Sequence, residues 1–290
     1  MTTELLATAL RAAEAGADVV RRHFRAADLR VAEKAAHDFV SEADTGAEAA
    51  IVAEIHRRHP DHRILAEEGG AVAGEGGSRQ SAPEWIIDPL DGTTNFLHGL
   101  PMCAVSVACR RGDRLEAGVI LDPLRRETFT ALRGGGAEWN GRPMRVSQRP
   151  SLDGAFLATG YPFKARRALD LYLDVFREVF LRAKAIRRCG AAALDLAYTA
   201  AGVFDGFFEF RLAPWDLAAG VLMVEEAGGR VSDLDGGPSY LETGNIVAGG
   251  AAAQPDLLAV VGSIADEAAL ERLDPTARTL PPSLNVKPSS

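Results

Sequence analysis

Residues 85–96 read WIIDPLDGTTNF, and the organisation of the chain is best read outward from them. An apolar run delivers Asp88, Pro89 fixes the next backbone φ, and Asp91 arrives three residues later, just ahead of Gly92, Thr93 and Thr94. Two carboxylates three apart across a proline-containing turn can converge on one point. With the Leu90 carbonyl between them they offer three hard oxygen donors, a set that suits Mg²⁺ rather than a softer metal. Gly92 permits close backbone approach, while Thr93 and Thr94 can open a helix whose first N–H groups bind an oxyanion. The plainer reading is a pair of turn dipeptides, DP and DG, with a capping aspartate that needs no metal. Acidic segments elsewhere weigh against it.

Upstream, ILAEEGG places Glu67 and Glu68 at the end of an apolar stretch, as a ligand pair or a solvated edge. Downstream, PWDLAAGVLMVEEAGG places Asp216 beside Trp215 near a helix N-terminus, where the dipole alone already favours a carboxylate. Spacings of three and four through Leu6, Leu10, Ala13, Ala17, Val20 and Phe24 predict a helix over 4–25. A second, over 44–58, carries Ala47, Ile51 and Ile55 on one side and stops at Pro60. Further helices are expected over 167–182, 191–201 and 256–273, and a flexible connection or lid over 68–83. Short apolar runs bounded by turns read as strands: WIID, CAVSVAC, LEAGVIL, ETFTAL, FLATG, DGFFEF, GRVSDL and NIVAGG. Asn140 and Gly141 signal a hairpin.

This mixture predicts a layered α/β or α+β architecture rather than a bundle or barrel. Its character changes near Ser151. Residues 1–150 are expected to form an α+β sub-domain carrying the main metal loop, and 151–273 an α/β sub-domain that completes the site. The tail 274–290, with four prolines, is expected to be disordered.

The 290 residues suffice for about two ordinary domains, and 47% hydrophobic with 25% charged residues excludes a disordered or fibrous chain. A net charge of −8 argues against nucleic acid as the main partner. It also means that a phosphate ester needs a cation between itself and the carboxylates. Cys103, Cys109 and Cys189 are too scattered for a disulfide framework and read as reduced thiols. No leader pattern and no long apolar run is visible, so a soluble, cytoplasmic protein is expected. His56, His59 and His62 flank Pro60 in a helix-end pattern rather than a zinc pattern. His98 reads as a surface residue ahead of one lining the mouth of the site, and Lys184, Arg187 and Arg188 as a solvated turn, with a bearing on dimer contacts or substrate approach as the alternative.

Taken together, WIIDPLDGTTNF, the preceding AEE, and PWDLAAG followed by EAGG resemble the three signature segments of the inositol monophosphatase family, within the fructose-1,6-bisphosphatase superfamily. DFVSEAD, GGGAEWNG, IRRCGAAALDLAY and GFFEF extend the likeness from about Lys34 to Gly249. The resemblance implies a layered αβαβα sandwich of the sugar-phosphatase type, a homodimer, lithium sensitivity, and Mg²⁺-dependent hydrolysis of a phosphate monoester by metal-activated water.

Carried over by position, Glu67, Asp88 and the Leu90 carbonyl match the ligands of a first metal, and Asp88, Asp91 and Asp216 those of a second. Glu67 also matches a weaker third site, so two to three Mg²⁺ ions are implied. Thr93, with Glu67 and Asp44, matches the residues that position the attacking water. Substrate contacts fall on Asp91, Gly92, Thr93, Gly190, Ala191, Ala192, Glu209 and Asp216. Lys34 lies near a family lysine in a segment that is one residue short. Ala191 stands where relatives carry Ser or Thr, which puts substrate choice in doubt more than catalysis.

Inositol 1-phosphate or a similar polyol or sugar phosphate is the implied substrate. The alternatives are fructose 1,6-bisphosphate, histidinol phosphate and a nucleotide 3′-phosphate. Since some bacterial relatives bind the transcription machinery, a regulatory protein-binding role is the alternative of another class.

Overall fold

The computed structural model describes residues 2–35, 38–72, 82–161, 166–266 and 268–270. The expected tail 274–290, most of the expected lid and the Lys34 side chain lie outside the described residues.

The amphipathic N-terminal segment forms helix α1 (Thr2–His23), whose inner face keeps Ala13, Ala17 and Val20 of the expected stripe and extends it to Leu5, Ala9 and Ala12. Leu5, Ala9, Ala12, Ala13, Ala17 and Val20 are buried, whereas Leu6 and Leu10 are only partly so. Small side chains on that face let the helix lie close against α2 (Glu42–Arg58), and close packing outweighs the burial of two larger leucines. Helix α2 starts on Ser41, whose Oγ accepts from Ala43 N at 3.2 Å while its N–H donates to Asp44 Oδ2 at 2.8 Å. It ends one residue before His59, ahead of Pro60 as expected.

Helices α1 and α2 cover one face of a sheet in which the signature stretch is an interior strand. Its strands are β3 (Arg63–Ala66), β4 (Gly70–Val72), β5 (Glu84–Asp91), β6 (Ala104–Arg111), β7 (Arg114–Asp122), β8 (Glu127–Leu132), β9 (Gly136–Trp139) and β10 (Arg142–Pro143), in the spatial order β10-β9-β8-β7-β6-β5-β3-β4. Strands β9 and β10 form the Asn140–Gly141 hairpin, both turn residues having positive φ. Part of the expected lid is β4, paired antiparallel to β3. A separate hairpin, β1 (Val31–Ala35) with β2 (Asp38–Ser41), leads into α2.

The second sheet, in the order β12-β11-β13-β15-β14, contains β11 (Phe156–Thr159), β12 (Ala185–Arg187), β13 (Gly206–Glu209), β14 (Arg230–Ser232) and β15 (Ile246–Gly249). Between the sheets lie α5 (Ala192–Ala200) and α6 (Pro214–Glu226), nearly all of whose residues are buried because both faces are covered. The outer face of the second sheet is closed by α4 (Leu169–Arg182) and α8 (Ala253–Gly262). The order is helices, sheet, helices, sheet, helices: the layered αβαβα sandwich. Helix α8 ends at Gly262, short of the expected 273. Two short helices, α3 (Thr93–Leu97) and α7 (Tyr240–Thr243), sit at strand ends.

Strand β5 is buried along all eight residues and pairs parallel with β3 and antiparallel with β6. Its pairing with β6 slips between Asp88 and Asp91: Asp88 faces Ser106, and Asp91 faces Ala104. Three steps along β5 therefore match two along β6, so one extra residue is accommodated at Pro89–Leu90, where proline has no N–H to give to the ladder.

At the far end of the sheet, Trp85 Nε1 donates to His62 Nδ1 at 3.0 Å, and the His59 and His62 rings stack at 4.4 Å. Burial foremost, then His59 and Arg111, pull the His62 pKa down to about 4. Neutral His62 is the folded form, so its contribution is complete above its ordinary value and is lost as pH falls from there toward about 4. His62→Gln keeps an acceptor for Trp85 but does not titrate. Urea unfolding at about pH 7 and about pH 4.5 should show a smaller acid loss of stability in the variant than in the wild type; equal losses would contradict this role.

Candidate metal centre

In a regular strand, residues three apart point to opposite faces. The extra residue at Pro89–Leu90 re-phases β5, and Asp88 and Asp91 meet on one side. Asp216, in the first turn of α6, joins them, with one carboxylate oxygen from each of the three within 4.8 Å of the others. Pro214 begins that helix, and the Ala213 N–H donates to Asp216 Oδ2 at 2.7 Å. The helix is held at this height by Ser106 Oγ, which donates to the Trp215 carbonyl at 3.2 Å. Ser106 is the β6 partner of Asp88, so one pair of neighbouring residues links the signature strand to the helix that brings Asp216.

Each carboxylate is also tied to backbone. Leu90 N donates to Asp88 Oδ1 at 2.9 Å, and Ala193 N, in the first turn of α5, donates to Asp91 Oδ2 at 2.8 Å. Even so, both acids are pushed well above the ordinary carboxylate range. For Asp88 the causes are burial first, then Glu67, Asp91 and Asp216; for Asp91, burial first, then Asp216. Two unit charges about 5 Å apart repel by about 3 kcal/mol at an effective dielectric of about 20. A hard divalent cation removes that cost, and the donor set is all oxygen. The residues present therefore fit Mg²⁺.

Asp44 and Thr93 form a second unit beside this cluster. Thr93 Oγ1 lies 3.0 Å from Asp44 Oδ1 and 3.0 Å from the Leu90 carbonyl oxygen. The other oxygen of Asp44, Oδ2, accepts from the Ser41 N–H and from Ser41 Oγ. Burial raises the Asp44 pKa, and these hydrogen bonds from Ser41 and Thr93 oppose it. Glu67 follows β3, its N–H donating to the Ile87 carbonyl at 3.3 Å. Its charge acts on Asp44, Asp88 and Asp91, but its carboxyl is outside the tight group of three.

Gly92 takes φ +86° as the N-cap of α3, and a side chain there would meet the Met102 carbonyl oxygen at 2.8 Å. Asn95 Nδ2 lies within hydrogen-bond distance of the carbonyls of Met102, Cys189 and Gly190, at 2.9, 3.0 and 3.2 Å, and so fastens the Gly190 loop to the signature segment. Ala191 is wholly buried in the central core and Ala192 retains a small exposed surface. Glu209 ends β13 half-buried; burial foremost, then Asp195 and Asp216, raise its pKa well above the ordinary range, while Arg188 opposes them.

Arg188 is not a merely solvated residue: its guanidinium carbon lies 5.2 Å from the centre of the Tyr161 ring, and it acts on both Glu209 and Asp195. Sequence reasoning passed over Ser106, Asn95 and Asp195. Asp195 is buried in α5 with one oxygen lacking a hydrogen-bond partner, and burial lifts its pKa to about 7. An acidic residue inside an otherwise apolar helix was the available signal.

A family model described as the inositol monophosphatase family matches residues 1–266. The Nus factor SuhB of Pseudomonas aeruginosa is 52% identical over 248 residues, covering 84% of this chain and 91% of that one. The Nus factor SuhB of Escherichia coli strain K12 is 47% identical over 246 residues, covering 84% and 91%. Among solved structures, extragenic suppressor protein suhB from Bartonella henselae superimposes with a TM-score of 0.83 at 42% identity, covering 89% of this chain and 98% of that one. Inositol monophosphatase from Anabaena (Nostoc) gives 0.80 at 34% identity, covering 92% and 98%.

The electrostatics generate a test that needs no substrate. In chelator at neutral pH, Asp88→Asn removes one buried like charge, keeps the acceptor for Leu90 N, and should melt about 2 °C or more above the wild type. Adding Mg²⁺ should raise the wild-type melting temperature and leave the variant nearly unmoved. A variant that melts lower in chelator and still gains from Mg²⁺ would refute the repulsive cluster.

Proposed function

The chain belongs to the inositol monophosphatase family, and on that premise we propose that it is a Mg²⁺-dependent phosphomonoesterase acting on inositol 1-phosphate or a closely similar polyol phosphate. The observation that carries this reading is the convergence of Asp88, Asp91 and Asp216. Asp88, Asp91 and Asp216 would hold one ion, and Glu67, Asp88 and the Leu90 carbonyl another. When bound, Mg²⁺ supplies charge neutralisation and Lewis-acid polarisation for phosphoryl transfer to water.

The chain's own groups have separable tasks in this proposal. Asp44, itself fixed by Ser41, accepts the Thr93 hydroxyl hydrogen and leaves the Thr93 oxygen to accept a hydrogen bond from the attacking water. Glu67 receives that water's other hydrogen, so the two residues aim its lone pair at phosphorus. The N–H groups of Gly92 and Thr93, without acceptors inside α3, face the phosphate oxygens. Asp91, Asp216 and Glu209 accept from the polyol hydroxyls, and the backbone around Gly190, Ala191 and Ala192 forms the wall. The buried Ala191 supplies no hydroxyl, which leaves selectivity to the carboxylates. The division at Ser151 into sub-domains 1–150 and 151–273 belongs to the same proposal, with acids drawn from both.

A homodimer is part of it too. Helix α4 buries Tyr172, Val175 and Val179 inward yet leaves Leu169, Leu173 and Phe180 exposed along one flank, an apolar row that suits a second copy. The relatives named Nus factor SuhB support a second reading, a regulatory partner of the transcription machinery, which can coexist with hydrolysis. No helix among the described residues is long and apolar enough to cross a membrane.

Asp88→Asn and Asp216→Asn, purified and folded, should lose roughly a thousandfold in Mg²⁺-dependent release of phosphate from inositol 1-phosphate. Full rates at saturating Mg²⁺ would reject the metal assignment. The panel should include fructose 1,6-bisphosphate, histidinol phosphate and adenosine 3′,5′-bisphosphate, and millimolar Li⁺ should inhibit. Negligible turnover of every ester, together with retention of the chain on immobilised transcription complexes, would favour the second reading. Phe180→Glu should shift the chain to monomer in size-exclusion light scattering; an unchanged mass would exclude the α4 face.

A further inference from the structure

Strands β11 and β13 run parallel, with Leu157, Ala158 and Thr159 opposite Gly206, Phe207 and Phe208. The next pair beyond that register is Gly160 and Glu209, at the carboxyl ends of both strands, the side on which sheets of this kind receive ligands. Thr159 Oγ1 donates to the Phe208 carbonyl at 2.8 Å and fixes the register to the last paired residue. Gly160 is buried, and its φ is not in the left-handed region, so its backbone poses no objection to an alanine. Space does: a methyl group at 160 would overlap the carboxyl carbon and both oxygens of Glu209, which are its nearest neighbours among the described residues.

We infer that Gly160 is a positioning residue for substrate selection: the volume of its missing side chain is the berth in which the Glu209 carboxylate lies flat, aimed at the hydroxyl face of the substrate. Glu209 does not stand free at the strand end. It folds sideways across its neighbour, and the neighbour must be glycine for it to do so. Because the obstructing atoms are the far end of a flexible side chain, a methyl at 160 displaces the carboxylate and leaves the strands paired. The consequence falls on recognition of hydroxyls and not on phosphoryl transfer, whose groups are on α2, β5, α3 and α6 and at the end of β3.

This inference rests on the proposed reading of hydroxyls by Glu209, and the test separates the two. Steady-state kinetics with Mg²⁺ compare inositol 1-phosphate with p-nitrophenyl phosphate, a monoester with no hydroxyls to read, for the wild type, Gly160→Ala, Glu209→Ala and the double variant. Gly160→Ala should raise KM for inositol 1-phosphate about tenfold, the scale of one hydrogen bond to a charged group, with kcat within about twofold. Its KM for p-nitrophenyl phosphate should stay at the wild-type value. In the Glu209→Ala background, Gly160→Ala should have no further effect on either substrate.

Equal loss on both esters, or a Gly160→Ala effect that persists without Glu209, would overturn the inference. So would a normal Gly160→Ala beside an impaired Glu209→Ala. If Glu209→Ala itself matches the wild type on inositol 1-phosphate, the hydroxyl-reading proposal fails and takes this one with it. Should Gly160→Ala fail to fold, folding of the double variant upholds the berth, and its misfolding overturns it.

Discussion

The site is organised by mutual repulsion: Asp88, Asp91 and Asp216 are held in a volume where three negative charges cannot rest without compensation. Left to itself, such a group would spread apart or protonate. The surrounding structure prevents the first. Strand β5 is buried on all eight residues between two neighbours, α6 is enclosed between two sheets, and Ser106 ties one to the other. Rigidity of this kind has little use in a structural core and an evident one in a cation receptor. On the proposed reading, stability given up in the metal-free chain would be recovered on binding, coupling folding to the metal.

The layered architecture supplies what that arrangement needs. A single sheet with one helical layer would present Asp88 and Asp91 at a strand end open to water. The second sheet, lying beyond α5 and α6, brings Glu209 and the Gly190 loop to the same opening and covers the helices' outer faces. Charge is thereby divided by function. The β5 acids Asp88 and Asp91 are buried, whereas Asp216 on α6 and Glu209, attended by Arg188, are partly exposed. The net charge of −8 argues against anionic partners for the whole molecule, but several of those charges are concentrated at one point where they invite a cation instead.

Much of this was legible from residue types. WIIDPLDGTTNF announced a strand, a break and a helix start; the mixed elements gave a layered α/β or α+β architecture, and the αβαβα order implied by the family resemblance holds. The turn at Pro89 and the convergence of Asp88 and Asp91 across it were legible; that the convergence comes from one extra residue relative to β6 was not, because phase depends on the partner strand. Ser106 and Gly160 were silent for the same reason: a serine and a glycine in strand-like runs acquire roles only through neighbours distant in sequence. The hairpin β1–β2 and strand β4 are short and carry no clear alternation. In α1 the stripe was right at Ala13, Ala17 and Val20, but Leu6 and Leu10 lie at the edge of the buried face, whose first turns are filled by Leu5, Ala9 and Ala12. Asp195 shows the remaining limit, since burial inside a helix shared by two sheets cannot be read from one helix alone.

The claim on which everything else rests is that the three converging carboxylates are a divalent-cation receptor. Diffraction from crystals grown with Mn²⁺ in place of Mg²⁺, collected at the manganese edge, tests it most directly. A strong anomalous peak bounded by Asp88, Asp91 and Asp216 is expected, absent from crystals of Asp88→Asn. An empty cluster at saturating Mn²⁺, or an equal peak in the variant, would contradict it.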